Sequence, residues 1–263
     1  MTETPSLEVA DVTVRFGGLT AVESLSLRAQ VGGITGLIGP NGAGKTTTFN
    51  VISGLQRPTE GAVHFRGRDI TNASASARAR IGIGRTFQKM ELYSSMTVHE
   101  NVRLGAESSR VGGNPVRQLV PSRGDREEID ATTAEALAIC RLEAIADVRV
   151  DRLSTGQRRL VELARVTAGT YSMLLLDEPS SGLDPSETEG FAQIVRSVRD
   201  RRGVGILLVE HDMDLVMGIC ETLYVLDFGR LIFSGTPEAT RADAGVRAAY
   251  LGCDAHGATV GVD

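Results

Sequence analysis

Nine residues, Gly39-Pro40-Asn41-Gly42-Ala43-Gly44-Lys45-Thr46-Thr47, limit this chain more than any other stretch. They fit G-x-x-x-x-G-K-[ST], the pattern of a loop that wraps a phosphate group. Three glycines let the backbone close round an anion, because glycine reaches positive φ without a Cβ clash. The amides of such a loop converge as a nest of donors. A helix starting near Lys45 adds partial positive charge at its N-terminus. Lys45 would set an ammonium on the outer phosphates, and the Thr46 hydroxyl would face Mg²⁺. The flanks supply the required setting. Ile34-Thr35-Gly36-Leu37-Ile38 predicts a short buried strand, and Thr47 to Ile52 has helical spacing.

Composition strengthens the assignment of Lys45. The chain has 28 Lys plus Arg, yet lysine occurs only at positions 45 and 89. A sequence that writes its positive charge as arginine has used lysine where one mobile point charge is needed and a planar fork would not fit.

The whole chain sets limits. Its 263 residues allow one large domain or a core with a subdomain. A net charge of -5 argues against a bulk nucleic-acid binder. No apolar run is long enough for a membrane span, and the acidic, polar start is no secretory signal. Cys140, Cys220 and Cys253 are odd in number and far apart, which predicts free thiols in a reducing compartment. Cys253 and His256 have no second pair to complete a metal site.

Read in order, the chain predicts strands at Leu7 to Arg15, Ala21 to Ala29 and Ala62 to Phe65, a short helix at Ser74 to Arg80 and a strand at Ile81 to Phe87. A mostly helical insertion follows, with helices at Val98 to Gly105 and Asp130 to Ile139. Between them, Glu107 to Asp125 reads as an exposed loop rich in Ser, Gly, Pro and Arg. A helix from about Gly156 to Thr167 closes the insertion. From Met173 strands and helices alternate: Met173 to Leu176, Glu187 to Arg202, Gly205 to Val209, Met213 to Ile219, Leu223 to Leu226, then a turn at Phe228-Gly229 into Leu231 to Ser234. That rhythm predicts an α/β fold with a parallel sheet covered on both faces.

Further chemistry gathers at strand ends, where doubly wound sheets bind ligands. The strand Met173 to Leu176 ends in Asp177, suited to Mg²⁺, and Glu178, suited to polarising an attacking water. Alone, the same pair followed by Pro179-Ser180 also reads as an acidic helix cap. In Leu153-Ser154-Thr155-Gly156-Gln157, Ser154 caps a helix and offers a second anion site, or is an ordinary cap. Two phosphate-binding helix starts on one chain are explained by two copies packed head to tail. Gln88 and His211 each follow a strand at the same edge as Asp177.

This ordered set resembles the nucleotide-binding subunit of ATP-binding cassette (ABC) transporters. Phe16, the phosphate loop, Gln88, LSTGQ, LLLDE, Ser181-Gly182-Leu183-Asp184 and His211 occur in the family's order and span nearly the full chain. The resemblance implies a P-loop ATPase core with an antiparallel β subdomain and an inserted helical subdomain. A single domain over 1–252 is expected, with 1–88 and 168–252 as core, 89–167 as the helical subdomain and 253–263 as a flexible tail. ATP and Mg²⁺ are the implied cofactors. Phe16 would stack on adenine, and Gln88 would touch Mg²⁺ or water and the membrane partner. Ser154 and Gly156 would meet the γ-phosphate held by the opposite subunit, Asp184 would link the two sites, and His211 would hold the γ-phosphate and Glu178 together. Thr155 stands where the family usually has glycine, so the backbone there must lie in an ordinary region.

The implied partners are a second ATPase subunit, identical or a paralogue, permease chains and, indirectly, an extracytoplasmic solute-binding protein, with the chain peripheral on the cytoplasmic face of the membrane. Phe16 to Val22, Gly84 to Gln88, Met96 to Val102, Glu210 to Gly218 and Ala249 to Gly252 resemble the branched-chain amino-acid uptake subfamily. Urea and amide importers are the near rivals. A clamp acting on DNA or ribosomes is the alternative from another class. A GTPase is excluded by the lack of N-K-x-D, and a non-hydrolysing sensor is disfavoured by Glu178 and His211.

Overall fold

The computed structural model describes residues 7–86, 92–111 and 122–254. The chain divides into two units, one from residues up to Ala73 together with those from Leu207 onward, the other Ser74–Ile206.

In the first unit, strand β1 (Leu7–Phe16) pairs antiparallel with β2 (Leu19–Ala29) and with β4 (Glu60–Phe65), which in turn carries β5 (Arg68–Asp69). Leu7 and Val9 of β1 are buried, opposite Phe65 and Val63. A register shift between Val9 and Val12 then resets the alternation, so that Val12 and Val14 are buried instead. Asp11 sits at this bulge with φ 48, and its carbonyl lies 2.4 Å from where a Cβ on Gly61 would be. Only glycine leaves room there, so the bulge and Gly61 specify one another.

The same unit holds β3 (Ile34–Ile38), parallel to β9 (Thr222–Asp227), and β9 folds back antiparallel into β10 (Arg230–Gly235). Strand β8 (Gly205–Val209) flanks β3 on its other side. All five residues of β3 and of β8 are buried, as a strand covered on both faces requires. Helix α1 (Lys45–Ser53) follows β3 and anchors itself with Phe49, Val51 and Ile52, all fully buried. Each such side chain is worth roughly 1.5–3 kcal/mol. A helix over Met213–Ile219 precedes β9, and helices over Pro237–Ala242 and Ala244–Asp254 follow β10.

In the second unit, α2 (Ala75–Arg80) leads to β6 (Ile83–Arg85), which lies parallel to β7 (Met173–Asp177) with Ile83 opposite Met173. Between them run α3 (Val98–Val111), α4 (Arg123–Ile139) and α5 (Thr155–Thr167), and α6 (Pro185–Arg202) follows β7.

Two sequence expectations are corrected, and one region carries helices that the sequence reading left out. The strand foreseen over 81–87 is shorter, because Ile81 caps α2 and Gly82 turns the chain at φ 106; Phe87 lies outside the described residues. The loop foreseen over 107–125 is helical at both ends, α3 running on to Val111 and α4 starting at Arg123. Ser122 and Asp125 form a reciprocal capping box there, and Arg110 ion-pairs with Asp125 and Glu128. Capping chemistry outweighs a loop-like composition when both halves of a box are present. The two helices after β10 were not foreseen. Pro237 at the first turn, with Thr236 as N-cap, was the readable signal.

Candidate nucleotide-binding site

The phosphate loop is built by the six residues between the end of strand β3 at Ile38 and the start of α1 at Lys45. Gly39 is buried, and a Cβ there would lie 2.2 Å from the Leu226 carbonyl oxygen. Gly44 is the N-cap of α1 at φ 97, and no side chain caps that helix end. A Cβ on Gly44 would lie 2.7 Å from the Ala21 carbonyl oxygen. Each glycine is therefore demanded by neighbouring backbone. Pro40 is half-buried; Asn41, Gly42 and Thr46 are exposed, Thr47 is half-buried and Ala43 is buried. The loop is braced from behind by the β9–β10 turn, where the Gly229 amide donates to the Ala43 carbonyl at 3.1 Å.

Lys45 is 6% exposed. Its Nζ donates to the carbonyls of Gly39 at 2.5 Å and Pro40 at 3.0 Å. The ammonium thus rests on its own loop, close to where phosphate oxygens would replace those acceptors. Phe16 ends β1 and is 49% exposed, a flat apolar face available for stacking. Phe228, in the turn that braces the loop, is 87% exposed.

At the end of β8, Glu210 is fully buried. Its carboxylate accepts from the amides of His211 at 3.1 Å and Asp212 at 3.4 Å. These bonds fix the loop that presents His211, whose side chain is 57% exposed and whose Nδ1 lies 3.7 Å from Glu210. Asp212 then caps the helix that follows. Glu210 was missed in the sequence. Its signal was an acid as the last residue after a fully apolar strand.

In the second unit, Asp177 ends β7 and is 1% exposed. The Arg85 guanidinium reaches it at 3.2 Å. Burial pushes the Arg85 pKa down from its usual value, and the Asp177 charge beside it pulls the other way. The Thr86 hydroxyl accepts from the Asp177 amide at 3.3 Å, and the Thr86 amide donates to Leu175 at 2.9 Å. Glu178 sits at φ 46, a region that L side chains enter at a cost. The chain turns sharply there, and Ser181 donates back to the Glu178 carbonyl. Gln88 lies outside the described residues.

Ser154, Gly156 and Asp184 come together in this unit. Ser154 caps α5 by a box with Gln157, and Asp184 caps α6 by a box with Glu187. Both acceptors, the Ser154 hydroxyl and the Asp184 carboxylate, therefore hold amides of their own helix starts. A Cβ on Gly156 would meet Glu187 Oε1 at 2.5 Å, so the two helix starts touch. Thr155 is the first residue of α5 and keeps ordinary negative φ, as its side chain requires. Its Cγ2 would lie 3.3 Å from a Cβ on Gly182.

Comparison with known proteins is in keeping with this architecture. The ABC transporter family model matches residues 22–181. The high-affinity branched-chain amino acid transport ATP-binding protein BraF of Pseudomonas aeruginosa is 38% identical over 252 residues, 94% of this chain and 98% of that protein. LivG of Escherichia coli, of the same description, is equally similar, at 38% over 252 residues. A lipopolysaccharide export ATP-binding protein, LptB of Acidithiobacillus ferridurans, is 36% identical over 231 residues, 88% of this chain and 90% of that one. Among solved structures, the ADP conformation of an ATP-binding cassette of an ABC transporter superposes with TM-score 0.82 at 30% identity, covering 95% of this chain and 99% of that one. Phosphate loop, acidic strand end and paired helix caps thus sit on the fold that these relatives share, and the chain belongs to the ABC transporter family as an ATP-binding cassette, whose activity is ATP hydrolysis.

Proposed function

We propose that the chain is the ATP-hydrolysing subunit of a membrane importer for branched-chain amino acids. The observation that carries the solute is likeness over nearly the full length of BraF and LivG, 98% of BraF, against 90% of LptB. The closing Ala249-Tyr250-Leu251-Gly252 is part of the sequence pattern that resembles the uptake subfamily.

In this reading ATP lies on the loop Gly39 to Thr47, with Lys45 moving from its two carbonyls to the phosphates and Phe16 stacking on adenine. Thr46 and Asp177, with Gln88, supply oxygen donors to Mg²⁺. The donor set fits: a hydroxyl, an amide oxygen and a carboxylate are hard ligands, and Mg²⁺ borne by phosphates needs only one or two protein groups. Glu178 polarises the attacking water, and His211 holds the γ-phosphate in line. Ser154 and Gly156 complete the site of a second cassette, identical or paralogous, with Asp184 at the junction. A related cassette has been solved as a dimer bound to ADP and Pi, which supports the two-subunit arrangement.

In the same reading the permease is made of separate chains and this subunit is peripheral on the inner membrane face; among the described residues no helix is long and apolar enough to cross a membrane. The core would be 1–88 with 168–252 and the helical subdomain 89–167, with the stretch Gln88 to Val102 presenting a groove to a permease helix. The net charge of -5 disfavours a nucleic-acid partner. The test is ATP-driven uptake in vesicles holding the co-encoded permease and binding protein. Leucine, isoleucine or valine should accumulate. Uptake of urea or an amide in their place would overturn the solute assignment and leave the ATPase standing.

A further inference from the structure

Asp177 is buried to 1% exposure, and a carboxylate so placed needs a counter-charge. Arg85 supplies one at 3.2 Å, from a side chain itself only 13% exposed. The arrangement is local and well braced, since Arg85 Nε also donates to the Thr86 carbonyl and the Thr86 hydroxyl holds the Asp177 amide. A guanidinium beside Asp177 and a divalent cation on Asp177 compete. Both are positive, and the low dielectric of a buried site magnifies their repulsion.

We propose that Arg85 is a stand-in cation for Asp177, neutralising the carboxylate while no metal–nucleotide is bound and giving way when the metal arrives. This rests on the reading of Asp177 as a Mg²⁺-side group. The stand-in has somewhere to go. Arg85 also lines a cavity of about 140 Å³ with Thr86, Ser108, Glu162, Arg165 and Tyr171. Glu162, already ion-paired with Arg159 at 3.2 Å, would share its carboxylate there beside Arg165, so a displaced guanidinium meets an anion without leaving the unit. The role differs from a static ion pair in one respect. A static partner would hold Asp177 in place for the metal, and its loss would weaken metal binding. A competing partner lowers the apparent metal affinity, and its loss strengthens it.

The experiment is titration of Mn²⁺ by electron paramagnetic resonance in the presence of AMP-PNP, on the full-length wild type, Arg85→Gln, Arg85→Lys and Asp177→Asn, with melting temperatures taken with and without Mn²⁺–AMP-PNP. Arg85→Gln should lower the Mn²⁺ midpoint by about tenfold, equivalent to ~1.4 kcal/mol. Its nucleotide-free melting temperature should fall, and the rise on adding Mn²⁺–AMP-PNP should exceed that of the wild type. Arg85→Lys, with a looser contact than the planar fork, should shift the midpoint the same way by a smaller factor, and it decides the matter if Arg85→Gln does not fold. An unchanged or raised midpoint in a folded Arg85 variant overturns the proposal. If Asp177→Asn loses nucleotide-dependent Mn²⁺ binding while Arg85→Gln matches the wild type, the stand-in role alone falls. If Asp177→Asn binds like the wild type, the reading of Asp177 falls and takes the proposal with it.

Discussion

Gly156→Ala sets two effects of similar size against each other. Gly156 is the second residue of α5, where alanine gains helix propensity. The gain is about 0.8–1.0 kcal/mol in a helix interior and roughly half that in a first turn. Against it, the new Cβ would stand 2.5 Å from Glu187 Oε1 and 2.9 Å from Glu187 Cδ. The carboxylate must move. In doing so it releases the Asp184 amide, which donates to Glu187 Oε2 at 3.1 Å, while the reverse bond from the Glu187 amide to Asp184 at 2.8 Å survives. Losing one such bond costs about 0.5–1.5 kcal/mol. The expected net change in the wild-type background is therefore between ~0 and -1 kcal/mol. In a Glu187→Ala background the opposing term is already gone, and Gly156→Ala should stabilise by roughly 0.5 kcal/mol. The coupling between the two sites is about 1 kcal/mol, within the range found for residues in contact. Urea unfolding of the four proteins without nucleotide measures it. For a chain of this size 1 kcal/mol corresponds to about 2–4 °C in melting temperature, which gives a second readout. If Gly156→Ala stabilises the wild type as much as the Glu187→Ala protein, Glu187 moves aside without loss, and the contact between the two helix starts carries no energy.

Four further outcomes are expected. Lys45→Ala abolishes nucleotide binding by calorimetry, and Lys45→Arg is strongly impaired, because a directional fork replaces a point charge on two carbonyls 2.5 and 3.0 Å away. Glu178→Gln binds ATP but hydrolyses it at least about a hundredfold more slowly, and gel filtration with ATP shows an accumulated dimer. Gly44→Ala combines left-handed strain at φ 97 with a Cβ 2.7 Å from the Ala21 carbonyl, costing about 2–4 kcal/mol in urea unfolding and removing nucleotide binding. Burial pushes the Cys140 thiol up to about 12 and raises that of Cys220 as well, so peptide-mapped alkylation at pH 8 leaves both unmodified until denaturant is added.

The sequence displayed what depends on local pattern. Strands β7 and β8 were legible because each is an apolar run followed by an acid, and β3 because its short, mostly apolar run leads straight into the glycine loop. The phosphate loop was legible because glycine spacing encodes its backbone directly. The ends of α3 and α4 were not: the local Ser122–Asp125 box sits in a stretch of loop-like composition, and Arg110 reaches across more than ten residues to Asp125 and Glu128. Glu210 and Arg85 escaped for a related reason. Each looks like one charge among many until folding buries it, and its role is defined by what it touches: two amides in one case, a buried carboxylate in the other.

Lysine scarcity gives the loop a spectroscopic address. Selective ¹⁵N-lysine incorporation puts label at two positions in a chain of 28.0 kDa, and one of them is the first residue of α1. Crowding, the usual obstacle to amide spectra at this size, disappears. The Lys45 amide belongs to the helix start left uncapped by any side chain, and its ammonium is tethered to Gly39 and Pro40. In the proposed reading the ammonium exchanges those carbonyls for phosphate oxygens, and the amide beside it lies next to the new charge. A two-peak spectrum would then follow filling and emptying of the loop, in an unmodified sequence and without a fluorophore near the site.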